Sequence, residues 1–98
     1  MKFVLSLIVL FLFGTSHSQT ISISGQVQNE NTAAFIPEAI VSANSKKVTT
    51  DSNGYFRIQI SSPQVLQFEI RYTGFKTLTQ KINIQKDTHL VFFIKSNL

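Results

Sequence analysis

The chain has 98 residues, 43% of them hydrophobic, no cysteine and a formal net charge of +4. That length allows one small domain, and the missing cysteines exclude a disulfide scaffold, a cysteine metal cluster and a lipid-modified cysteine. The nine Lys and Arg residues are dispersed, with Lys46-Lys47 the only adjacent pair, so the clustered basic stripe of a nucleic-acid-binding protein is missing and no nucleic-acid partner is expected.

Residues 1–18 read as a cleaved signal peptide. Lys2 supplies a positive start, Phe3 to Phe13 is apolar except for Ser6, and Ser16-His17-Ser18 places small residues where a signal peptidase reads. Cleavage is expected before Gln19. About eleven apolar residues fall short of the roughly 20 that span a bilayer, so no membrane span is expected after cleavage. Residues 19–98 then form the domain, in the periplasm, at the outer membrane or secreted.

In chain order, Thr20 to Gln28 alternates strictly, with Ile21, Ile23 and Val27 on one face and Ser22, Ser24, Gln26 and Gln28 on the other. Gly25 takes an inward position, which predicts a bulge or the close approach of another backbone. Asn29 to Pro37 reads as a polar loop clear of the core, with Ala33 to Ile36 as a short apolar tuck over the end of the domain. Glu38 to Asn44 is a second strand facing inward through Ala39, Val41 and Ala43, and Lys46 to Thr50 is a short third.

Thr50-Asp51-Ser52-Asn53-Gly54-Tyr55-Phe56 is the strongest turn signal in the chain. Asp51 at the first position and Gly54 at the fourth fit a type I turn, while Asn53-Gly54 at the centre fits a type I′ hairpin. Tyr55 to Ser61 leaves the turn with Phe56, Ile58 and Ile60 inward. After Ser62-Pro63-Gln64 comes the cleanest alternation, Leu66, Phe68, Ile70 and Tyr72 against Gln67, Glu69 and Arg71, expected as a central strand. Phe75 to Ile84 is a sixth strand, irregular because Gln80 shares a face with Leu78, Ile82 and Ile84. His89 to Lys95 is the seventh, and its five consecutive apolar residues, Leu90 to Ile94, want cover on both faces. Short strands at about 8 to 12 residue spacing, without helical periodicity after the leader, predict an all-β, seven-stranded antiparallel sandwich.

Three segments carry a resemblance to the carboxypeptidase-regulatory-like domain, a transthyretin-like (prealbumin-like) sandwich. Ile23-Ser24-Gly25-Gln26-Val27 resembles its opening strand, Thr50 to Phe56 its Thr-Asp-x-x-Gly-x-Phe turn, and Tyr72-Thr73-Gly74-Phe75-Lys76 its Tyr-x-Gly-aromatic-Lys segment. Thr50, Asp51, Gly54 and Phe56 are thus the turn motif. The family usually has Pro-Gly-Ala before its second strand, where this chain has Pro37-Glu38-Ala39. Such domains stand at the exported N-terminus of TonB-dependent outer-membrane receptors of the starch-utilisation type, ahead of an energy-coupling segment, a plug and a barrel. The resemblance implies a non-catalytic accessory module related to that domain.

The residues offer little chemistry. His17 belongs to the leader, and His89 has neither a second histidine nor a cysteine to share a metal. Asp51-Ser52-Asn53-Gly54 matches the opening of a calcium loop but lacks its later ligands and closing glutamate. No Gly-x-Ser-x-Gly elbow and no partnered serine appears. No catalytic, metal or cofactor residues are expected, and the chain is read as no enzyme. The expected role is protein binding, with another cell-envelope protein as partner; the alternative is a purely structural spacer. Leu90, Phe92 and Ile94 suffice to cover the core from the last strand, which leaves Val91 and Phe93 as the candidate interaction surface.

Overall fold

A computed structural model describes residues 20–98, so the signal peptide expected over 1–18 and the cleavage point before Gln19 lie outside the described residues. Seven strands follow: β1 Ile21–Asn29, β2 Ile40–Ala43, β3 Lys46–Thr49, β4 Tyr55–Ile60, β5 Gln64–Arg71, β6 Leu78–Ile84 and β7 Thr88–Ile94. They form two sheets, a three-stranded one in the order β4-β1-β7 and a four-stranded one in the order β3-β2-β5-β6.

Alternation decides which side chains meet between the sheets. In β4, Phe56, Ile58 and Ile60 are buried between exposed Tyr55, Arg57 and Gln59. In β5, Leu66, Phe68 and Ile70 are buried, and β5 is central, paired with β2 on one side and β6 on the other. Phe92 joins the sheets through aromatic contacts, its ring centroid 6.0 Å from Phe56 and 5.3 Å from Phe68. Such offset and tilted pairs contribute beyond simple area burial.

One pair departs from the expected antiparallel arrangement: β1 and β7 run parallel, Gly25 beside Leu90 and Val27 beside Phe92. Nothing in either strand's own pattern encodes its neighbour's direction. The pairing follows from the crossing of the chain between sheets, which brings its last strand alongside its first.

The turn over Asp51–Gly54 resolves the two sequence alternatives in favour of type I. The Gly54 N–H donates to the Asp51 carbonyl, and Gly54 has φ +76° while Asn53 is not in the left-handed region a type I′ turn demands. It is a corner between sheets, because β3 and β4 lie in different sheets. Asp51 Oδ1 accepts the N–H groups of Asn53 and Tyr55, as an Asx turn requires.

The loop before β2 differs most from expectation. Ile36 is buried and joins the core, whereas Phe35 is exposed and pairs through a single bridge with Gln28. Ala33 and Ala34 are exposed rather than tucked. Buried Thr50 holds this loop: its hydroxyl donates to the Ile36 carbonyl at 2.7 Å and accepts the Ala39 N–H at 2.8 Å. Two buried backbone groups that no strand pairs are satisfied in this way.

Candidate interaction face

The outer face of the three-stranded sheet is built by the outward half of each alternation. Strand β1 contributes Ser22, Ser24, Gln26 and Gln28, flanked by Tyr55, Arg57 and Gln59 on β4 and by His89, Val91 and Phe93 on β7. The registers stack these into rows. Arg57, Ser24 and His89 form one row, Tyr55, Gln26 and Val91 the next, and Phe35, Gln28 and Phe93 the third, Phe35 entering through its bridge to Gln28.

Two adjacent rows therefore carry four exposed large apolar side chains: Phe35 at 50%, Tyr55 at 46%, Val91 at 42% and Phe93 at 47% exposure. Between them Gln26 is only 7% exposed although it points away from the core. Its amide is pinned, Oε1 accepting from Gln28 Nε2 at 3.0 Å and Nε2 donating to the Asn53 carbonyl at 3.3 Å. The centre of the face is thus a fixed amide pair framed by apolar groups.

The outer face of the other sheet is different in kind. Ser42, Gln67, Glu69, Arg71, Thr79, Lys81 and Asn83 occupy it, and Arg71 Nε lies 3.4 Å from Glu69 Oε1. Its exposed apolar residues, Ile40 and Val65, are separated, one opposite Arg71 and the other opposite Asn83. Scattered apolar residues are ordinary on a surface, whereas the four on the three-stranded sheet fall in two adjacent rows on either side of Gln26 and Gln28.

The turn motif occupies a structural corner. Thr50 is buried against the loop, Phe56 in the core, and Gly54 lies against β1, where a Cβ would sit 2.8 Å from the Val27 carbonyl oxygen. The structure brings His89 to Ser24, with Nδ1 2.9 Å from Oγ, a pairing that their separation in sequence hides. The pair is solvent-exposed, and among the described residues no carboxylate lies within 4.0 Å of the imidazole to orient it. A shallow open groove lined by Glu38, Ile40, Arg71, Tyr72, Thr73 and Thr77 holds no histidine. Among the described residues no three His, Cys, Asp or Glu side chains gather where they could hold a metal.

Sequence reading missed Phe35 and Tyr55 as members of the face. Tyr55 is outward by alternation, but its place beside Gln26 opposite Val91 depends on the strand order, and Phe35 depends on a bridge made by a loop.

Fold and face together define a two-sheet β-sandwich module with an apolar-framed outer face on its three-stranded sheet. The chain belongs to the CarboxypepD_reg-like domain family, which matches residues 23–97. No curated protein matches it by sequence. Several solved structures share the fold. The 3-chlorocatechol 1,2-dioxygenase of Rhodococcus opacus 1CP aligns with TM-score 0.68 and 12% identity over 84% of this chain and 62% of its own. The hydroxyquinol 1,2-dioxygenase of Pseudomonas putida DLL-E4 gives 0.68 and 9% over 85% and 58%. A type II cohesin–X–dockerin complex of Acetivibrio cellulolyticus gives 0.64 and 18% over 76% and 56%. The chain spans less than two thirds of each of these proteins, and at such identities the likeness is one of fold alone.

Proposed function

We propose that this protein is an exported accessory module of the cell envelope that binds another envelope protein through the outer face of its three-stranded sheet, centred on Val91 and Phe93. The observation that carries this reading is the gathering of Phe35, Tyr55, Val91 and Phe93 around a pinned glutamine pair while the opposite face is polar. Burying such a set against a partner contributes about 25 cal/mol per Å² of apolar surface, and the fixed amides give the contact a register. A spacer needs no such face. Export rests on the leader-like residues 1–18, and kinship with the N-terminal domain of TonB-dependent receptors on the three sequence segments and the family.

The double substitution Val91→Thr and Phe93→Lys tests the reading. The variant should remain folded, gain solubility and lose capture of envelope proteins that the wild-type chain retains. Unfolding would return both side chains to the core. Undiminished capture by a folded variant would remove the face from the function. Intact mass of the exported protein should correspond to a chain starting at Gln19.

A further inference from the structure

Each sheet has two edges, formed by β4 and β7 in one and by β3 and β6 in the other. Proteins guard such edges with charged residues, lysine above all, because unpaired backbone groups recruit further strands. Here β3 carries Lys46 and Lys47, β4 carries Arg57 and β6 carries Lys81, but β7, Thr88–Ile94, carries neither Lys nor Arg.

The free side of β7 can be assigned residue by residue. Ile94 turns its carbonyl toward the β1 side, where it accepts the Glu30 N–H, while the Lys95 carbonyl faces the opposite side and accepts the Lys76 N–H. Backbone groups of successive strand residues point to alternate sides. His89, Val91 and Phe93 therefore direct N–H and C=O away from β1, and among the described residues β7 pairs with no strand other than β1. The Lys76 contact, with the Phe75–Ser96 bridge, closes the edge at its end and leaves His89 to Phe93 open.

Two further observations concern the same flank. Phe75, Leu78, Ile82 and Leu90 are only partly buried against the core, so the seam between β6 and β7 is apolar and incompletely closed. Within residues 74–98 the charged side chains other than His89 are Lys76, Lys81, Lys86 and Lys95, all exposed, and one carboxylate, Asp87, whose Oδ1 is taken by the Ser22 N–H.

We infer that the open edge of β7, from His89 to Phe93, takes up an extended segment of another protein by backbone pairing, a segment with apolar residues at alternate positions and carboxylates at its ends. This rests on the contact reading above and adds its mode. Main-chain hydrogen bonds supply affinity in strand addition, and alternate side chains supply selection. One set of the incoming side chains closes the seam over Leu78, Ile82 and Leu90, the other extends the apolar rows past Val91 and Phe93, and the end carboxylates meet the lysines. A second copy of this chain is disfavoured because its flank brings the same four lysines.

The test uses the isotope-labelled protein and a blocked seven-residue peptide that alternates valine and threonine between an aspartate and a glutamate. Two further versions are N-methylated on one or the other alternate set of amides. At millimolar peptide, amide exchange at His89, Val91 and Phe93 should slow by at least about tenfold. One methylated version should bind and the other fail, and added salt should weaken binding. Val91→Pro removes an N–H that faces solvent, a substitution an edge strand accepts, and should leave a folded chain without peptide protection; if it fails to fold, the methylated pair decides. Equal binding of both methylated peptides, with Val91 and Phe93 side-chain signals still shifting, would overturn strand addition and leave face contact standing. An absence of any shift, or protection of the edge by self-association without peptide, would also overturn it.

Discussion

The ring of Phe56 occupies the space that a side chain on Gly25 would need: a Cβ there would lie 2.2 Å from Phe56 Cζ and 2.9 Å from the Leu90 carbonyl oxygen. Gly25 sits between both partners, opposite Phe56 in one ladder and Leu90 in the other. Neither a bulge nor a backbone approach alone explains this glycine. It is the gap through which an aromatic ring of an edge strand reaches the core. Gly25→Ala must displace that ring and its contact with Phe92, and should destabilise the protein by about 1–3 kcal/mol. A denaturant midpoint unchanged from wild type would show that Phe56 moves freely.

Glu38 stands where the family usually has glycine, and its φ is +61°. A left-handed conformation costs an L-residue about 1–2 kcal/mol, part of which glycine gives back through the entropy of the unfolded chain. Glu38→Gly should therefore stabilise the protein by about 0.5–1 kcal/mol. The side chain is exposed, so little contact is lost with it. A lower midpoint in urea would mean that the glutamate makes a stabilising contact.

Thr50→Val keeps the shape of the side chain and removes the hydroxyl that joins Ile36 to Ala39. The Ile36 carbonyl and Ala39 N–H would lose their partner in a buried setting, at a cost of about 1–3 kcal/mol. Gly54→Val should cost a similar amount, about 1–3 kcal/mol, because β-branched residues are strained at positive φ. Thermal melts of the two variants read both effects, and wild-type behaviour in either would contradict the account of the corner.

Alternation made β4 and β5 legible from sequence, and Phe68 follows from it as a core residue. It is fully buried while Gln67 is exposed. Phe68→Ala should cost about 3–5 kcal/mol, enough to unfold a domain this small, and Gln67→Ala close to nothing. Equal effects would refute the assigned faces.

What sequence could not reveal depends on strand order. Val91 and Phe93 are readable as surplus to the core because Leu90, Phe92 and Ile94 alternate with them. Tyr55 and Phe35 join them only because β4 and β7 flank β1 and because a loop residue bridges to Gln28. The parallel direction of β7, the burial of Gln26 on an outward face and the hydroxyl clamp of Thr50 are likewise products of distant segments meeting. Within the expected apolar tuck Ile36 is buried in the core and Phe35 is exposed for the same reason, since a loop has no alternation to fix which side chain turns inward.

Photo-crosslinking tests the contact face most directly. A photoreactive phenylalanine analogue would replace Phe93 in one variant and Thr79, on the polar outer face, in another, each expressed in the native envelope. The account predicts a discrete crosslinked adduct from position 93 and none from position 79, with the adduct lost on Tyr55→Lys. Equal labelling at the two positions, or an adduct from position 79 alone, would contradict it.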